Sequence, residues 1–261
     1  MLSDVVRPPP EPRRGPSSDD PRDASPYDEA YYRQTYGHDL SRRLPRLTRE
    51  HYWARWLRRH VADRHARIVD LGSGLGWFAL SARARGLAPC SLDISEFSAT
   101  RLRAQHGLPV AVASASHLPV RTASLAGIVA LDVLEHVPEP QRALADLRRA
   151  LQPGGVLVAS VPNMEGFGAR HKRRSGSWFA DHDPTHVSLL QPDRWSELFV
   201  QSGFAIERRG SDTLWDVPYP GPIPARVQRA ALLPLHRAIS WSFGSLPWSQ
   251  GENLVLVGRA A

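Results

Sequence analysis

Asp70-Leu71-Gly72-Ser73-Gly74-Leu75-Gly76 sets three glycines at alternate positions behind an aspartate. Glycines so placed permit a tight turn and let a ligand lie against backbone N–H groups at a helix start. Asp93 ends the next apolar run, where a carboxylate can accept from both hydroxyls of a ribose. The dinucleotide pattern G-x-G-x-x-G would need glycine at 77, and Trp77 stands there, which argues against a pyrophosphate. A second group, Asp181-His182-Asp183-Pro184-Thr185-His186, pairs histidine with carboxylate, as a general base requires. His182, His186 and Asp183 are also metal-ligand types, but Pro184 prevents the regular helix that would bring both rings to one face, so no metal is expected. His136 follows another apolar run and is a further candidate base, its plainer reading being a helix-start histidine with a structural hydrogen bond. Arg170, Lys172, Arg173 and Arg174 could meet a phosphate or carboxylate on a substrate, or be a solvated loop.

These residues need a scaffold, and from Ala66 the sequence alternates strand and helix patterns. Strands are expected over 66–71, 88–93, 110–113, 125–131 and 156–161, and helices over 76–85, 96–106 and 141–151. The turn Pro153-Gly154-Gly155 separates the third helix from the fifth strand. A helix over 193–202 and strands over 204–209 and 253–259 follow. Such alternation gives a parallel sheet covered on both faces, with ligands beyond the carboxyl ends of its strands. Segments 162–192 and 211–251 are long for connections and read as caps, the second holding an apolar helix over 226–243 suited to the sheet's flank. Ahead of the domain, Trp53, Trp56, Leu57 and Val61 recur at helical spacing with Arg55, Arg58 and Arg59 opposite. Residues 1–26, with seven prolines, read as a disordered tail, 27–65 as a lid and basic helix, and 66–261 as the main domain.

The ordered set of motifs resembles the class I S-adenosylmethionine-dependent methyltransferases, in particular the small-molecule group that includes ubiquinone-biosynthesis-type enzymes. Asp70, Gly72, Gly74 and Gly76 match the D-x-G-x-G-x-G loop, and Asp93 the ribose acid. Leu131-Asp132-Val133-Leu134-Glu135-His136-Val137 matches the segment after the fourth strand, and Pro153-Gly154-Gly155 the turn before the fifth. The resemblance implies a Rossmann-like α/β fold, a seven-stranded, mostly parallel sheet with an antiparallel last strand, and S-adenosyl-L-methionine as cofactor. It implies that Gly72, Ser73, Gly74 and Gly76 wrap the methionine moiety with Asp70 near its amino group. Asp93 and Ile94 would hold the ribose, Ser114 and Ala115 would face adenine, and Asp132 and Val133 would floor the sulfonium. The family's third strand carries an acid where Ser114 stands, so adenine recognition passes to a hydroxyl or to backbone. Tyr27 to Tyr36 resemble an N-terminal lid, and Asp183-Pro184-Thr185-His186 a segment over the acceptor. His186, His136 and Asp183 are thus the catalytic candidates.

The function expected is O-methylation of a small-molecule acceptor in biosynthetic or secondary metabolism, sugar- or carrier-linked acceptors included. Methylation of nitrogen or carbon, nucleic-acid methylation and a non-methylating scaffold are the alternatives. A formal charge of +7 invites the nucleic-acid reading, yet the nine arginines of 41–67 against Glu50 and Asp63 account for all of it. The adenine-N6 methylation motif is missing at Asp132-Val133-Leu134, and the lone Cys90 lies too early for a cytosine nucleophile, so no nucleic acid is expected as partner. One cysteine excludes a disulfide framework. No apolar run is long enough to span a membrane and no secretory signal pattern opens the chain, so the expectation is a cytoplasmic monomer or homodimer, with peripheral membrane contact open.

Overall fold

The computed structural model describes residues 24, 26–36, 49–61 and 66–261. The expected tail lies almost wholly outside these residues, as do Arg42, Arg43, Arg46 and Arg64 of the arginine cluster.

Seven strands form one sheet in the order β3-β2-β1-β4-β5-β7-β6. They are β1 (Arg67–Leu71), β2 (Ala88–Asp93), β3 (Val110–Val112), β4 (Leu125–Leu131), β5 (Leu151–Pro162), β6 (Phe204–Ser211) and β7 (Asn253–Ala260). β1 to β5 run parallel, and β7 inserts antiparallel between β5 and β6. The helices are α1 (Glu29–Tyr36), α2 (Arg49–His60), α3 (Trp77–Arg83), α4 (Glu96–His106), α5 (Pro140–Ala150), α6 (Phe167–Lys172), α7 (Pro192–Gln201) and α8 (Ala225–Phe243). Each strand residue faces opposite to the next, so the sheet builds two cores. Val69, Leu71, Ile128, Leu157 and Ala159 join Leu144 and Leu147 of α5 and Trp195 and Phe199 of α7. Ile68, Val129, Val156 and Val158 join Trp53 and Leu57 of α2 and Phe78 of α3. The aromatic stripe of α2 is therefore core.

Three placements differ from expectation, the first being that β5 starts at Leu151 and takes in Pro153, Gly154 and Gly155, read from sequence as a turn ahead of the strand. Arg55 is not simply solvated, since its guanidinium lies over the Tyr52 and Trp241 rings and donates to the Trp241 carbonyl at 3.1 Å. α8 lies against α2 and leaves Val227, Leu235 and Phe243 exposed. α2 and α3 fill that face of the sheet, so α8, expected on the sheet's flank, packs on α2 as an outer layer. Among the described residues no helix is long and apolar enough to cross a membrane.

Candidate active site

The carboxyl ends of β1 and β4 open into a cavity of about 430 Å³. One wall is the glycine turn between β1 and α3, where Gly72, Gly74 and Gly76 all adopt positive φ. At Gly72 a Cβ would collide with Val133 Cγ2 across the turn, so the close approach of the two strand ends needs glycine there. The N–H groups of this turn are not bare, contrary to the sequence reading. Gly72 N–H donates to the Leu92 carbonyl at 2.8 Å and Gly74 N–H to Asp93 Oδ2 at 2.7 Å. What the turn leaves for a ligand is the Ser73 hydroxyl, buried and without a partner, beside Asp70.

Asp93 ties the turn to α4 as well as serving it. Ser95 N–H donates to its Oδ1 at 2.9 Å and Ser98 Oγ to its Oδ2 at 3.1 Å, and it is only 4% exposed. The Ser95 hydroxyl donates to the Tyr27 carbonyl at 2.6 Å, which brings the start of the lid over the end of β2. Asp93, Ile94, Ser114, Ala115, Val133, Gly76 and Tyr27 lie outside the cavity wall, whereas Asp70, Gly72, Ser73, Gly74, Asp132, His136, Asp183 and His186 form it. Ser114 Oγ accepts from Ser116 N at 3.2 Å. Tyr36 is the last residue of α1, and its side chain is outside the described part. From the lid it is Tyr31 and Thr35 that reach the cavity.

At the end of β4, Asp132 adopts a φ of 58°, a left-handed conformation that aspartate tolerates better than most residues. The turn aims its carboxylate at Arg49, the first residue of α2, whose guanidinium forks onto both oxygens, with Nη1 to Oδ1 at 3.2 Å. Ser160 Oγ donates to Oδ1 at 2.8 Å. Burial, the largest influence, would raise the Asp132 pKa, but the Arg49 charge and the hydrogen bonds from Arg49 and Ser160 together hold the carboxyl below its ordinary value. Arg49 is the one lysine or arginine in the wall among the described residues. It was counted in sequence only as part of a basic stretch, 83 positions from its partner.

Glu135 lies in the short 3-10 turn after Asp132, and its backbone carbonyl accepts from Val187 N at 3.0 Å and Ser188 N at 2.8 Å. That pair of bonds draws the 183–188 segment over β4 and brings His186 within 4.7 Å of His136, ring centre to ring centre. His136 Nδ1–H donates to the Thr185 carbonyl at 3.2 Å, and His186 Nδ1–H to the Ala180 carbonyl at 2.7 Å. Carbonyls only accept, so each Nδ1 carries a proton, and in the neutral ring the lone pair then lies on Nε2. Asp183 Oδ1 accepts from the Thr185 hydroxyl at 2.5 Å and its Oδ2 from the Tyr31 hydroxyl at 3.2 Å, with His186 Nε2 4.0 Å from Oδ2. Burial pushes the His136 pKa down to about 4, the nearby His186 adding to it, so the ring is neutral at physiological pH.

The sequence-level grouping of His182 with His186 and Asp183 is not what the fold assembles. His182 is exposed, and the imidazole that meets His136 belongs to His186 alone. Lys172 is also redirected: it is buried, 2.6 Å from Asp216 Oδ2, and donates to the Asp216 carbonyl at 2.7 Å. Arg173 pairs with Asp181 at 3.2 Å. Neither side chain forms the cavity wall, so no phosphate-binding patch emerges from these two.

Comparison with known proteins agrees with the geometry. A family model described as a methyltransferase domain matches residues 40–208. The chain is 27% identical over 174 residues to a protein of Mycolicibacterium smegmatis named "Probable S-adenosylmethionine-dependent methyltransferase", covering 64% of each. It is 29% identical over 157 residues to the ubiquinone biosynthesis O-methyltransferase of Roseobacter denitrificans, covering 55% of this chain and 62% of that one. The chain thus spans less than two thirds of either relative. The structure of a SAM-dependent methyltransferase from Archaeoglobus fulgidus superposes with a TM-score of 0.55 at 15% identity, covering 80% of this chain and 94% of that one, a likeness of fold. The residues present fit that family's cofactor: an orphaned serine hydroxyl in the glycine turn, an arginine for a carboxylate, and Asp70 and Glu50 for an ammonium. The D-x-G-x-G-x-G turn, the sheet with its inserted antiparallel strand and the family match over most of the chain make this protein a member of the S-adenosylmethionine-dependent methyltransferase family.

Proposed function

We propose that the chain catalyses methyl transfer from S-adenosylmethionine to a hydroxyl oxygen of a small-molecule acceptor. The observation that carries this reading is the pair of imidazoles, His136 and His186, set beside Asp183 in the same cavity as the Gly72–Gly74 turn. When bound, the cofactor supplies a methyl group already activated on a sulfonium, so the protein chiefly aligns and deprotonates. Arg49 and Ser73 would hold the methionine end, Asp70 and Glu50 its ammonium, and Asp93 the ribose. The acceptor stands between Tyr31, Phe179 and Trp215, whose rings suit a planar or apolar body, with its hydroxyl toward the histidines. His186 Nε2 would take the proton that the hydroxyl gives up on methylation. Tyr31, hydrogen-bonded to Asp183, closes the acceptor side.

Calorimetry with S-adenosylhomocysteine and turnover of radiolabelled S-adenosylmethionine on a panel of phenols, alcohols, amines and carbon acids test this. His186→Ala is expected to leave S-adenosylhomocysteine affinity within about twofold and to lower turnover by about a hundredfold or more. Full turnover in that variant, or transfer to amines and carbon acids but not to hydroxyls, would overturn the oxygen assignment.

A further inference from the structure

We infer that Glu135, His136 and His186 form a binding site for one divalent transition-metal cation, which holds the acceptor's oxygen. Their ligand atoms, one from each side chain, all lie within 4.8 Å of one another. Two imidazoles and one carboxylate are the donors that zinc, iron(II), manganese and cobalt(II) accept while keeping open positions for a substrate oxygen.

Two further observations point to a ligand. Glu135 is 1% exposed, and neither of its carboxylate oxygens has a hydrogen-bond partner. A buried carboxylate left bare is costly, and a cation between it and the two rings supplies the missing partner. The rings, moreover, are held as metal-binding histidines are held. Each gives its Nδ1 proton to a backbone carbonyl, and the Thr185 hydroxyl, bonded to Asp183, sits 2.8 Å from His136 Nδ1. Such outer bonds fix the tautomer and ring orientation of a metal-binding histidine.

The inference rests on the proposed O-methylation for the acceptor, though not for the site itself, and it replaces the base role of His186 in that reaction with the metal's. With a cation present His186 is a ligand, so the hydroxyl, made acidic by the metal, releases its proton to bulk water. The oxygen lone pair then forms the bond to the methyl carbon, the C–S electron pair stays on sulfur, and a neutral thioether leaves.

Protein dialysed against EDTA and titrated with Co²⁺ is expected to bind about one equivalent, with visible ligand-field absorption that Zn²⁺ abolishes. Glu135→Gln, nearly isosteric, and His186→Ala are each expected to weaken Co²⁺ by about tenfold or more. S-adenosylhomocysteine affinity, unchanged, reports that both variants remain folded. Wild type that binds S-adenosylhomocysteine but no Co²⁺, or Co²⁺ binding indifferent to both substitutions, overturns the site. Undiminished turnover in EDTA overturns the metal's role while leaving O-methylation standing. One Co²⁺ bound through these residues without hydroxyl methylation supports the site and overturns the O-methylation reading instead.

Discussion

Arg49 is bound to Asp132 and faces the glycine turn, so it performs two tasks at one position. It neutralises a buried carboxylate and brings a positive charge to the cavity wall that Gly72 and Ser73 also form. Replacement by glutamine keeps length and polarity but removes the charge. Loss of a hydrogen bond to a charged group is worth about 1.5 to 3 kcal/mol, so S-adenosylhomocysteine should bind Arg49→Gln roughly ten- to hundredfold more weakly by calorimetry. Affinity unchanged within a factor of two would remove Arg49 from the cofactor site. The residue also marks where sequence reading stops. The glycine turn, Asp93 and His136 are legible because each stands at the end of its own strand, a local property of the chain. Arg49, Glu135 and Thr185 acquire their roles from contacts made across the fold, the Thr185 hydroxyl with an imidazole 49 positions away. Glu135 lies inside a quoted motif, yet only the fold shows that its carboxylate is buried and bare.

Strand and helix positions from β1 to β5 were legible for a physical reason: buried parallel strands read as short apolar runs and amphipathic helices as periodic ones. The outer layer was not, since the place of α8 depends on space that α2 and α3 had already taken. Between these lies the lid, whose tyrosines were visible but whose anchor was not. That anchor is Ser95, which caps α4 by accepting from Ser98 N at 3.2 Å while donating to the Tyr27 carbonyl at 2.6 Å. One hydroxyl couples a core helix to a covering segment. Ser95→Ala should therefore cost about 1 kcal/mol in urea unfolding through the lost cap. It should also raise KM for the acceptor, because the lid loses its tie beside Asp93. An effect on stability alone would show that α1 is held by its other contacts.

Charge in the whole molecule is divided between buried groups that pull in opposite directions with pH. Burial lowers His136 and His236 to about 4, and it raises Asp212 to about 8 and Glu252 to about 7. Asp212 accepts from Asn253 N at 2.7 Å and Trp215 Nε1 at 2.6 Å, and Glu252 from the Tyr219 hydroxyl at 2.5 Å, on the β6 and β7 side of the site. Between about pH 4 and 6.5 the unfolded chain binds more protons at the two histidines than the folded one does, so their contribution to stability rises with pH. The two acids do the reverse: the folded chain keeps their protons up to about pH 7 or 8, and stability is lost as pH climbs through that range. Asp70, Asp93 and Glu135, also raised by burial, act in the same sense as Asp212 and Glu252. Below pH 6.5 the two sets oppose each other, and above it the histidines no longer titrate differentially. Urea midpoints of EDTA-treated protein at constant ionic strength should therefore fall as pH rises from 6.5 to 8. For Asp212 and Glu252 the loss over the upper range is about 2 to 3 kcal/mol. A flat or rising midpoint above pH 6.5 would mean that these acids are ionised in the folded protein, with partners other than those the fold gives them.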